Sequence, residues 1–204
     1  MTKDLPIQCA CGAVRGVARD VAPSAGNHVV CYCADCQAFA RFLGRDADIL
    51  DEHGGTEIFQ LSQAKLAISA GADRIACMRL SSSGMLRWYA SCCNTPIGNT
   101  LSTTNLPFIG LITTCLLKSP PGASLDADLG PVLARGSRKS AQGDSTTIPR
   151  DGMPLPLLAI RFVRLVLTWR LRRDGRRSEF FNPHSGQAIV TPRVLSDAER
   201  AQLR

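Results

Sequence analysis

The sequence predicts a mainly β domain followed by a basic C-terminal extension that contains one long helix. Three observations predict it: short runs of alternating apolar and polar residues, nine cysteines that all lie at or before Cys115, and a basic excess confined to the second part of the chain. Alternation with a period of two is typical of strands with one buried face. The 204 residues fit one domain, or one domain with an appendage.

Five short runs carry the β prediction because they contain β-branched or aromatic residues and end near turn-forming residues. They are residues 12–21, 56–62, 65–71, 74–84 and 108–117. Residues 85–91 follow a Ser/Gly turn, so we expect them to return as the hairpin partner of the preceding run. A helix is predicted early in the chain only at 33–44, with Phe39, Phe42 and Leu43 on one face.

Composition predicts three parts: 1–118 as the β domain, 119–153 as a linker or extended arm, and 154–204 as a basic helix and strap. The middle part is rich in Gly, Pro, Ser and charge, which is typical of a linker. Residues 1–120 carry 10 Lys+Arg and 9 Asp+Glu, whereas 121–204 carry 14 and 8. A basic surface attracts anionic substrates, nucleic acid or acidic lipid, and charge alone does not choose among them. A nucleic acid is not the partner we expect.

The long helix is predicted at 155–173, where no helix breaker follows Pro156. Its circumference is mostly apolar. A single polar stripe with spacings of 3, 4 and 4 is formed by Arg161, Arg164, Thr168 and Arg172. Two arginines near the centre argue against a transmembrane span. Packing on the core, a dimer interface and a position on a membrane surface remain open. A shorter helix is predicted from Ser196.

The cysteines point to metal rather than to disulfides. The first residues lack a basic stretch followed by an apolar run, so no signal peptide is predicted and we expect a cytoplasmic protein. In a reducing compartment, thiols at short spacing are more often metal ligands than disulfide partners. Cys77 and Cys115 are different, because they lie in strand-like runs where we expect buried apolar thiols.

The strongest motif is the C-x-C-x-x-C spacing of Cys31, Cys33 and Cys36. A C-x-x-C segment can turn two sulfurs toward one point, and a third cysteine two residues earlier can join from an extended backbone. Zinc is tetrahedral, so three thiolates leave one position, which a catalytic zinc keeps for water or substrate. Two alternatives stay open: a distant fourth ligand such as His28 or His53 completes a structural site, or the thiols form a redox pair.

A second cluster is predicted from Cys9 and Cys11 together with Cys92 and Cys93. Four thiolates there would tie the N-terminus to the hairpin, so that metal binding energy becomes folding energy. Adjacent cysteines on a strand point to opposite faces, so this site needs a tight turn, which Asn94 suits. Two clusters predict about two zinc ions per chain.

Three segments, "CACGAVRG", "CYCADCQ" and "RWYASCCNTPIGN", resemble in their order and spacing the glutathione-dependent formaldehyde-activating family, which includes centromere protein V. The resemblance covers roughly residues 5–118. It implies a zinc-dependent β-tent fold, with a structural zinc held by the first C-x-C and the last cysteine pair. It also implies a second zinc, held by Cys31, Cys33 and Cys36 as the catalytic residues, where an S-hydroxymethyl adduct of glutathione forms.

The third segment departs from the family pattern C-x-x-C-G-T-P. Alignment on "NTPIGN" places Cys93 on the second cysteine, Asn94 on the glycine and Ala90 on the first cysteine. Either Cys92 substitutes for the missing ligand from a shifted backbone, or the structural zinc has another ligand.

Two functions follow as hypotheses. In the first, the chain is a carbon–sulfur lyase that forms or breaks S-hydroxymethyl-type adducts of glutathione or a related thiol, with the thiol held as a thiolate near a small electrophilic carbonyl. In the alternative, it is a non-catalytic zinc-stabilised binding module whose basic C-terminal region contacts a partner. A three-cysteine site without a fourth protein ligand favours the first, and four protein ligands favour the second.

Overall fold

The computed structural model describes residues 1–118, 124–150 and 152–203, and the described chain is mainly β, as predicted. Its strands are β1 (Lys3–Gln8), β2 (Arg15–Val21), β3 (Asn27–Cys31), β4 (Thr56–Ser62), β5 (Leu66–Ala70), β6 (Ile75–Arg79), β7 (Leu86–Ala90), β8 (Thr95–Thr100), β9 (Phe108–Ile112), β10 (Ala134–Gly136) and β11 (Arg193–Val194). Its α-helices are α1 (Ala34–Phe42), α2 (Asp46–Ile49), α3 (Asp126–Leu129), α4 (Leu155–Leu171) and α5 (Asp197–Gln202).

The strands form two sheets. The smaller sheet is antiparallel with the order β1-β2-β5, and the larger has the order β10-β3-β4-β9-β8-β7-β6-β11. Neighbours in the larger sheet are antiparallel except at its two edges, where β10 runs parallel to β3 and β11 runs parallel to β6. Both edge strands come from residues after 118, so the C-terminal residues extend the sheet of the N-terminal ones. The three-part division of the chain stays a prediction.

Each of the five predicted β runs contains a strand, and β7 pairs antiparallel with β6 as the expected hairpin partner. Of the strands that the sequence did not predict, β3 contains two valines but is short, and the others lack the usual composition. Pro6 lies within β1, β8 contains both Pro96 and Gly98, and the edge strands have only two or three residues. Proline and glycine argue against a strand when only local sequence is considered.

The main core lies between the two sheets, and a second core lies on the other face of the larger one. Alternation along β4 directs Phe59 and Leu61 into the first core and Ile58 into the second. In the second core, Phe39 and Leu43 from α1 and the residue after it pack against the large sheet. The molecule therefore has three layers: the small sheet, the large sheet and α1.

Residues after α4 complete the main core. The rings of Phe180 and Phe181 pack on Trp88, with centroids 4.8 and 6.1 Å away. Buried Asp174 accepts a 2.7 Å hydrogen bond from the Ser62 hydroxyl and a bond from Arg177. The C-terminal segment is thus anchored to the domain by both apolar and polar contacts.

The predicted linker also contributes buried side chains where it is described. Leu125 and Leu129 belong to the main core, and Ile148 packs on Val30 and Tyr32. Residues 119–123 and 151 of that predicted segment lie outside the described residues.

One face of α4 packs on the domain, through buried Val166 and Trp169 and an edge contact between Phe162 and Phe108. Arg161, from the predicted polar stripe, does not simply face water, because it donates hydrogen bonds to Asn27 Oδ1 and Gly26 O at 2.7 and 2.8 Å. Within the described residues, none of the helices is long and apolar enough to cross a membrane.

A buried histidine joins the sheet to the segment that follows residue 123. The His28 side chain is fully buried, with Nδ1 2.7 Å from Gly130 O and Nε2 2.7 Å from Glu57 Oε1. Burial acts to lower the pKa of His28, but the hydrogen bonds to Glu57 and Gly130 outweigh it, so the pKa is raised. The hydrogen bond from His28 is the main cause that lowers the pKa of Glu57. An imidazolium that donates to both oxygens accounts for both shifts.

This contact predicts a pH dependence of stability. Because the folded state raises the pKa of His28, its contribution is fully present below the unfolded value of about 6.5 and is lost as the pH rises through the folded value. Glu57, with a lowered pKa, stays ionised at pH 5.5. We expect the excess thermal stability of the wild type over His28→Gln to be largest near pH 5.5 and to shrink toward pH 9, as measured by circular dichroism melts.

The control for this experiment is His184→Gln, because His184 is exposed on the surface. Its melting temperature is expected to follow the wild type at every pH. Parallel pH profiles of the wild type and His28→Gln would contradict the assignment.

Candidate metal centres

The first cluster forms where β3 passes into α1. Cys31 ends the strand, Cys33 is the N-cap residue of the helix, and Cys36 lies in its first turn. The three sulfur atoms lie within 4.8 Å of one another. Cys36 is buried, whereas Cys31 and Cys33 are partly exposed, so the cluster lies partly open to solvent.

The start of α1 favours negative charge on Cys33. Hydrogen bonds with the Cys31 and Cys36 thiols, the Cys36 backbone N–H and the charge of Arg87 hold the pKa of Cys33 well below its ordinary value. The contact with Cys33 is the main cause that raises the pKa of Cys31, and contacts with Cys31 and Cys33 raise the pKa of buried Cys36. A metal ion bound by all three sulfurs would displace the protons that remain on the thiols.

Arg87 is a buried cation beside this cluster. It lies on β7, with only 4% of its side chain exposed, and its guanidinium lies 5.4 Å from the centre of the Phe39 ring. It donates a hydrogen bond to Asn99 Oδ1 at 3.3 Å and lies 4.0 Å from Asp35 in the first turn of α1. Arg200 of α5 also contacts Asp35, at 3.1 Å. The surroundings of the thiols are therefore positively charged.

The two histidines considered as fourth ligands are engaged elsewhere. Both ring nitrogens of His28 have partners, Gly130 O and Glu57 Oε1. The ring of His53 contacts Gln142 O and the Thr147 hydroxyl. Across the described ranges 1–118, 124–150 and 152–203, no fourth Cys, His, Asp or Glu joins Cys31, Cys33 and Cys36.

The second cluster brings together Cys9, Cys11, Cys92 and Cys93, all of whose sulfurs lie within 4.8 Å of one another. After β1, the chain turns tightly at Gly12, which has a left-handed φ of 76°. The Gly12 N–H donates to Cys9 O, and the Val14 N–H donates to Cys9 Sγ at 3.2 Å. The turn therefore positions the C-x-C segment, and one of its backbone N–H groups donates to the first sulfur.

The other half of this cluster is the turn between β7 and β8. Asn94 has a left-handed φ of 54°, which confirms the expected tight turn and brings adjacent Cys92 and Cys93 into one group. Burial acts to raise the pKa of Cys93, but hydrogen bonds from the Thr95 hydroxyl and from the Cys11 and Thr95 N–H groups lower it to about 6. The turn thus provides a thiol that ionises readily.

Cys92, rather than residue 90, brings its side chain to the first C-x-C segment. Its sulfur lies 3.3 Å from Cys11 Sγ and 3.8 Å from Cys9 Sγ. Ala90 is fully buried at the end of β7 and packs on Cys9. Of the two alternatives that the sequence left open, the geometry favours substitution by Cys92.

Both clusters could hold metal ions. Tetrahedral coordination with metal–sulfur distances of about 2.3 Å places sulfurs roughly 3.8 Å apart. Sulfur separations of 3.3 to 3.9 Å in the four-cysteine cluster agree with that spacing. A set made only of thiols suits a soft or borderline ion rather than Mg²⁺ or Ca²⁺. That the ion is zinc stays a prediction.

Helix α1 connects the two clusters. It starts at Cys33, and the residue that follows it, Leu43, accepts a 3.2 Å hydrogen bond from the Asn94 side chain. Arg45 donates to Cys93 O at 3.3 Å and pairs with Asp48 at 2.9 Å. The turn of the four-cysteine cluster therefore supports the C-terminal end of the helix whose N-terminal end carries the other cluster.

Arg87 and Arg45 also belong to these surroundings, and neither was predicted from the sequence. The local sequence does not distinguish Arg45, because it follows α1 in a charged turn. It does distinguish Arg87, which lies within the apolar strand 86–90, beside Trp88, where burying an unpaired charge would be costly. Cys77 and Cys115 are buried away from both clusters, as predicted.

Fold and site together define a mainly β protein with two cysteine clusters that could hold metal ions. The chain belongs to the family described as "Family of unknown function (DUF6151)", whose model matches residues 1–182. No curated protein matches it. The crystal structure of a Rhodobacter sphaeroides protein is similar at 18% identity and a TM-score of 0.42, covering 64% of this chain and 98% of that chain. The resemblance to formaldehyde-activating proteins stays a prediction.

The two clusters predict a metal content. We expect protein purified under reducing conditions without chelator to carry about two zinc ions per chain, because each cluster can bind one. Cys31→Ala and Cys92→Ala should each carry about one. Elemental analysis by mass spectrometry measures this, with Cys77→Ala as the control that keeps both. Wild-type protein without bound metal would contradict the assignment of both clusters.

The two clusters should differ in their effect on stability. Cys92→Ala removes a ligand that joins β1 to the β7–β8 turn, so we expect its melting temperature to fall by about 10 °C or more. The melting temperature of Cys31→Ala should fall less, since the three-cysteine cluster lies within one short segment. Thermal melts of the zinc-loaded proteins test this, and equal losses in both variants would count against the distinction.

Proposed function

We propose that the three-cysteine cluster is the catalytic centre of a zinc-dependent carbon–sulfur lyase that acts on glutathione or a related small thiol. One observation carries the proposal: within the described residues, Cys31, Cys33 and Cys36 converge without a fourth protein ligand, whereas Cys9, Cys11, Cys92 and Cys93 form a set of four. Four-ligand thiolate sites are structural, and three-ligand sites keep a position for substrate. The zinc-dependent β-tent fold belongs to this proposal.

Zinc bound by the three thiolates would hold an incoming thiol as a thiolate at neutral pH. Three thiolates outweigh the ion's charge, so such a centre suits a soft sulfur ligand better than water activation. The protein's own groups stabilise the negative charge of the cysteine ligands. Arg87 partly balances the negative charge of Cys33, and the first turn of α1 directs the Cys36 backbone N–H toward its sulfur.

The reaction that fits is addition of a thiol S–H across a small carbonyl such as formaldehyde. The sulfur forms a bond to the carbonyl carbon, and the thiol proton ends on the carbonyl oxygen, which gives an S-hydroxymethyl adduct; the reverse reaction breaks that bond. Partial burial of the cluster limits water near the sulfur.

We expect the zinc-loaded protein to bind glutathione, but not S-methylglutathione, in calorimetric titrations. Direct coordination requires a free thiol, so methylation of the sulfur should abolish binding while leaving the carboxylates unchanged. Cys33→Ser should also lose binding, while Cys115→Ala, a buried thiol outside both clusters, serves as the matched control. Exchange spectroscopy with ¹³C-labelled formaldehyde would then measure whether the protein speeds adduct formation.

Three outcomes are informative. Binding of both ligands would mean that the peptide is recognised without its sulfur. Binding of glutathione without faster exchange would support the thiol-binding site and contradict the lyase activity. No binding up to millimolar concentration would leave the alternative, a non-catalytic zinc-stabilised module, as the better explanation.

A further inference from the structure

The outer face of α4 carries a continuous apolar surface, here called the α4 stripe. It consists of Leu157, Ile160, Val163, Leu167 and Leu171, whose side chains are 52–84% exposed. Spacings of three and four residues place them on one side of the helix, opposite buried Val166 and Trp169. Isolated exposed apolar residues are ordinary, but a row along a whole helix marks an interaction surface.

Arginines border the α4 stripe on both sides. Arg164 follows Ile160 by four residues on one edge, and Arg170 follows Leu167 by three on the other. Arg170 also lines a surface cleft with Arg173, Arg176, Thr104 and Asn105. We call this group the arginine cleft, and its polar donors suit a phosphate group.

The nearby acidic group does not neutralise the arginine cleft. Asp174 is buried and accepts hydrogen bonds from the Ser62 hydroxyl and from Arg177. Residues 155–173 contain no Asp or Glu. The stripe and its borders therefore combine an apolar centre with uncompensated positive charge.

We propose that α4 is an interfacial helix that docks this protein on anionic phospholipid membranes. The α4 stripe enters the boundary between headgroups and acyl chains, and the arginine cleft receives lipid phosphates. An amphipathic helix with basic residues beside its apolar face lies in the membrane interface in this way. The inference rests on α4 and its neighbours and is independent of the proposed function of the cysteines.

Charge favours lipid over the other occupants. A second copy of the helix, packed stripe to stripe, would bring arginines against arginines without a carboxylate between 155 and 173 to pair with them. A nucleic acid would satisfy the arginines but leave the apolar side chains in water. An anionic bilayer matches both parts of the surface.

Flotation of the full chain with vesicles tests the proposal. We expect binding to vesicles that contain about 30% phosphatidylglycerol in phosphatidylcholine, and little binding to phosphatidylcholine alone. Raising the salt from about 0.1 M to about 0.5 M should weaken the binding, because it screens the arginines.

Two double variants separate the apolar and basic contributions. Val163→Asn with Leu167→Asn should weaken binding about tenfold or more, since two half-exposed apolar side chains no longer enter the membrane. Arg170→Gln with Arg176→Gln should weaken it about fivefold per arginine. The matched controls, Leu117→Asn with Ile189→Asn and Arg19→Gln with Arg74→Gln, change exposed residues outside α4 and the arginine cleft and should bind as the wild type does.

Several results would overturn the proposal. One is no binding of the wild type to the anionic vesicles at low salt, and another is an equal loss in the control variants. Binding that survives the stripe variant and is displaced by inorganic phosphate would indicate an electrostatic contact without insertion. A wild-type dimer in sedimentation velocity that the stripe variant lacks, without vesicle binding, would assign the stripe to a second copy.

Discussion

The alternation of side chains along β7 is the constraint on which both the core and the three-cysteine cluster depend. Trp88 points to the main core, where Phe180 and Phe181 cover it and Thr100 accepts its indole hydrogen bond at 2.9 Å. Arg87 points to the opposite face, against Phe39 and beside the thiols. A shift of one residue would bury the guanidinium in the main core and turn the tryptophan toward the cysteines. The register of β7 therefore determines the electrostatics of the site.

Contacts among the three thiols are the main cause of their unequal pKa values, and a buried cation adds to them. Hydrogen bonds with Cys31 and Cys36 lower the pKa of Cys33, and the charge of Arg87 makes a smaller contribution in the same direction, whereas contacts with the neighbouring thiols raise the pKa of Cys36. The cost of burying the guanidinium is reduced by Asn99, the ring of Phe39 and the nearby carboxylate of Asp35. Any cation bound among the three sulfurs thus enters a site that already holds part of its balancing charge.

Features that depend on residues close together in the sequence could be predicted, whereas features that depend on contacts between distant segments could not. The three-cysteine cluster is local, because a strand end and one helical turn bring its sulfurs together, so spacing alone identified it. The four-cysteine cluster joins segments some eighty residues apart, and it was predicted only because its two halves have motif-like spacing. Arg87 could not be assigned to the site, since its place depends on pairing between β6, β7 and β8. The edge strands β10 and β11 are too short to show any periodicity, and only the assembled sheet determines them.

The C-terminal extension has a direct physical effect on the three-cysteine cluster, although the two lie far apart in sequence. Gly136 of β10 pairs with Cys31, and Gly136 O accepts a hydrogen bond from the Tyr32 N–H, so this edge strand fixes the backbone between the first two cysteines. On the other side, Arg200 of α5 pairs with Asp35, one residue before Cys36. The extension therefore helps to fix the backbone that carries Cys31 and the first turn of the helix that carries Cys36. Sequence changes there would alter the geometry of the cluster without changing the cysteines themselves.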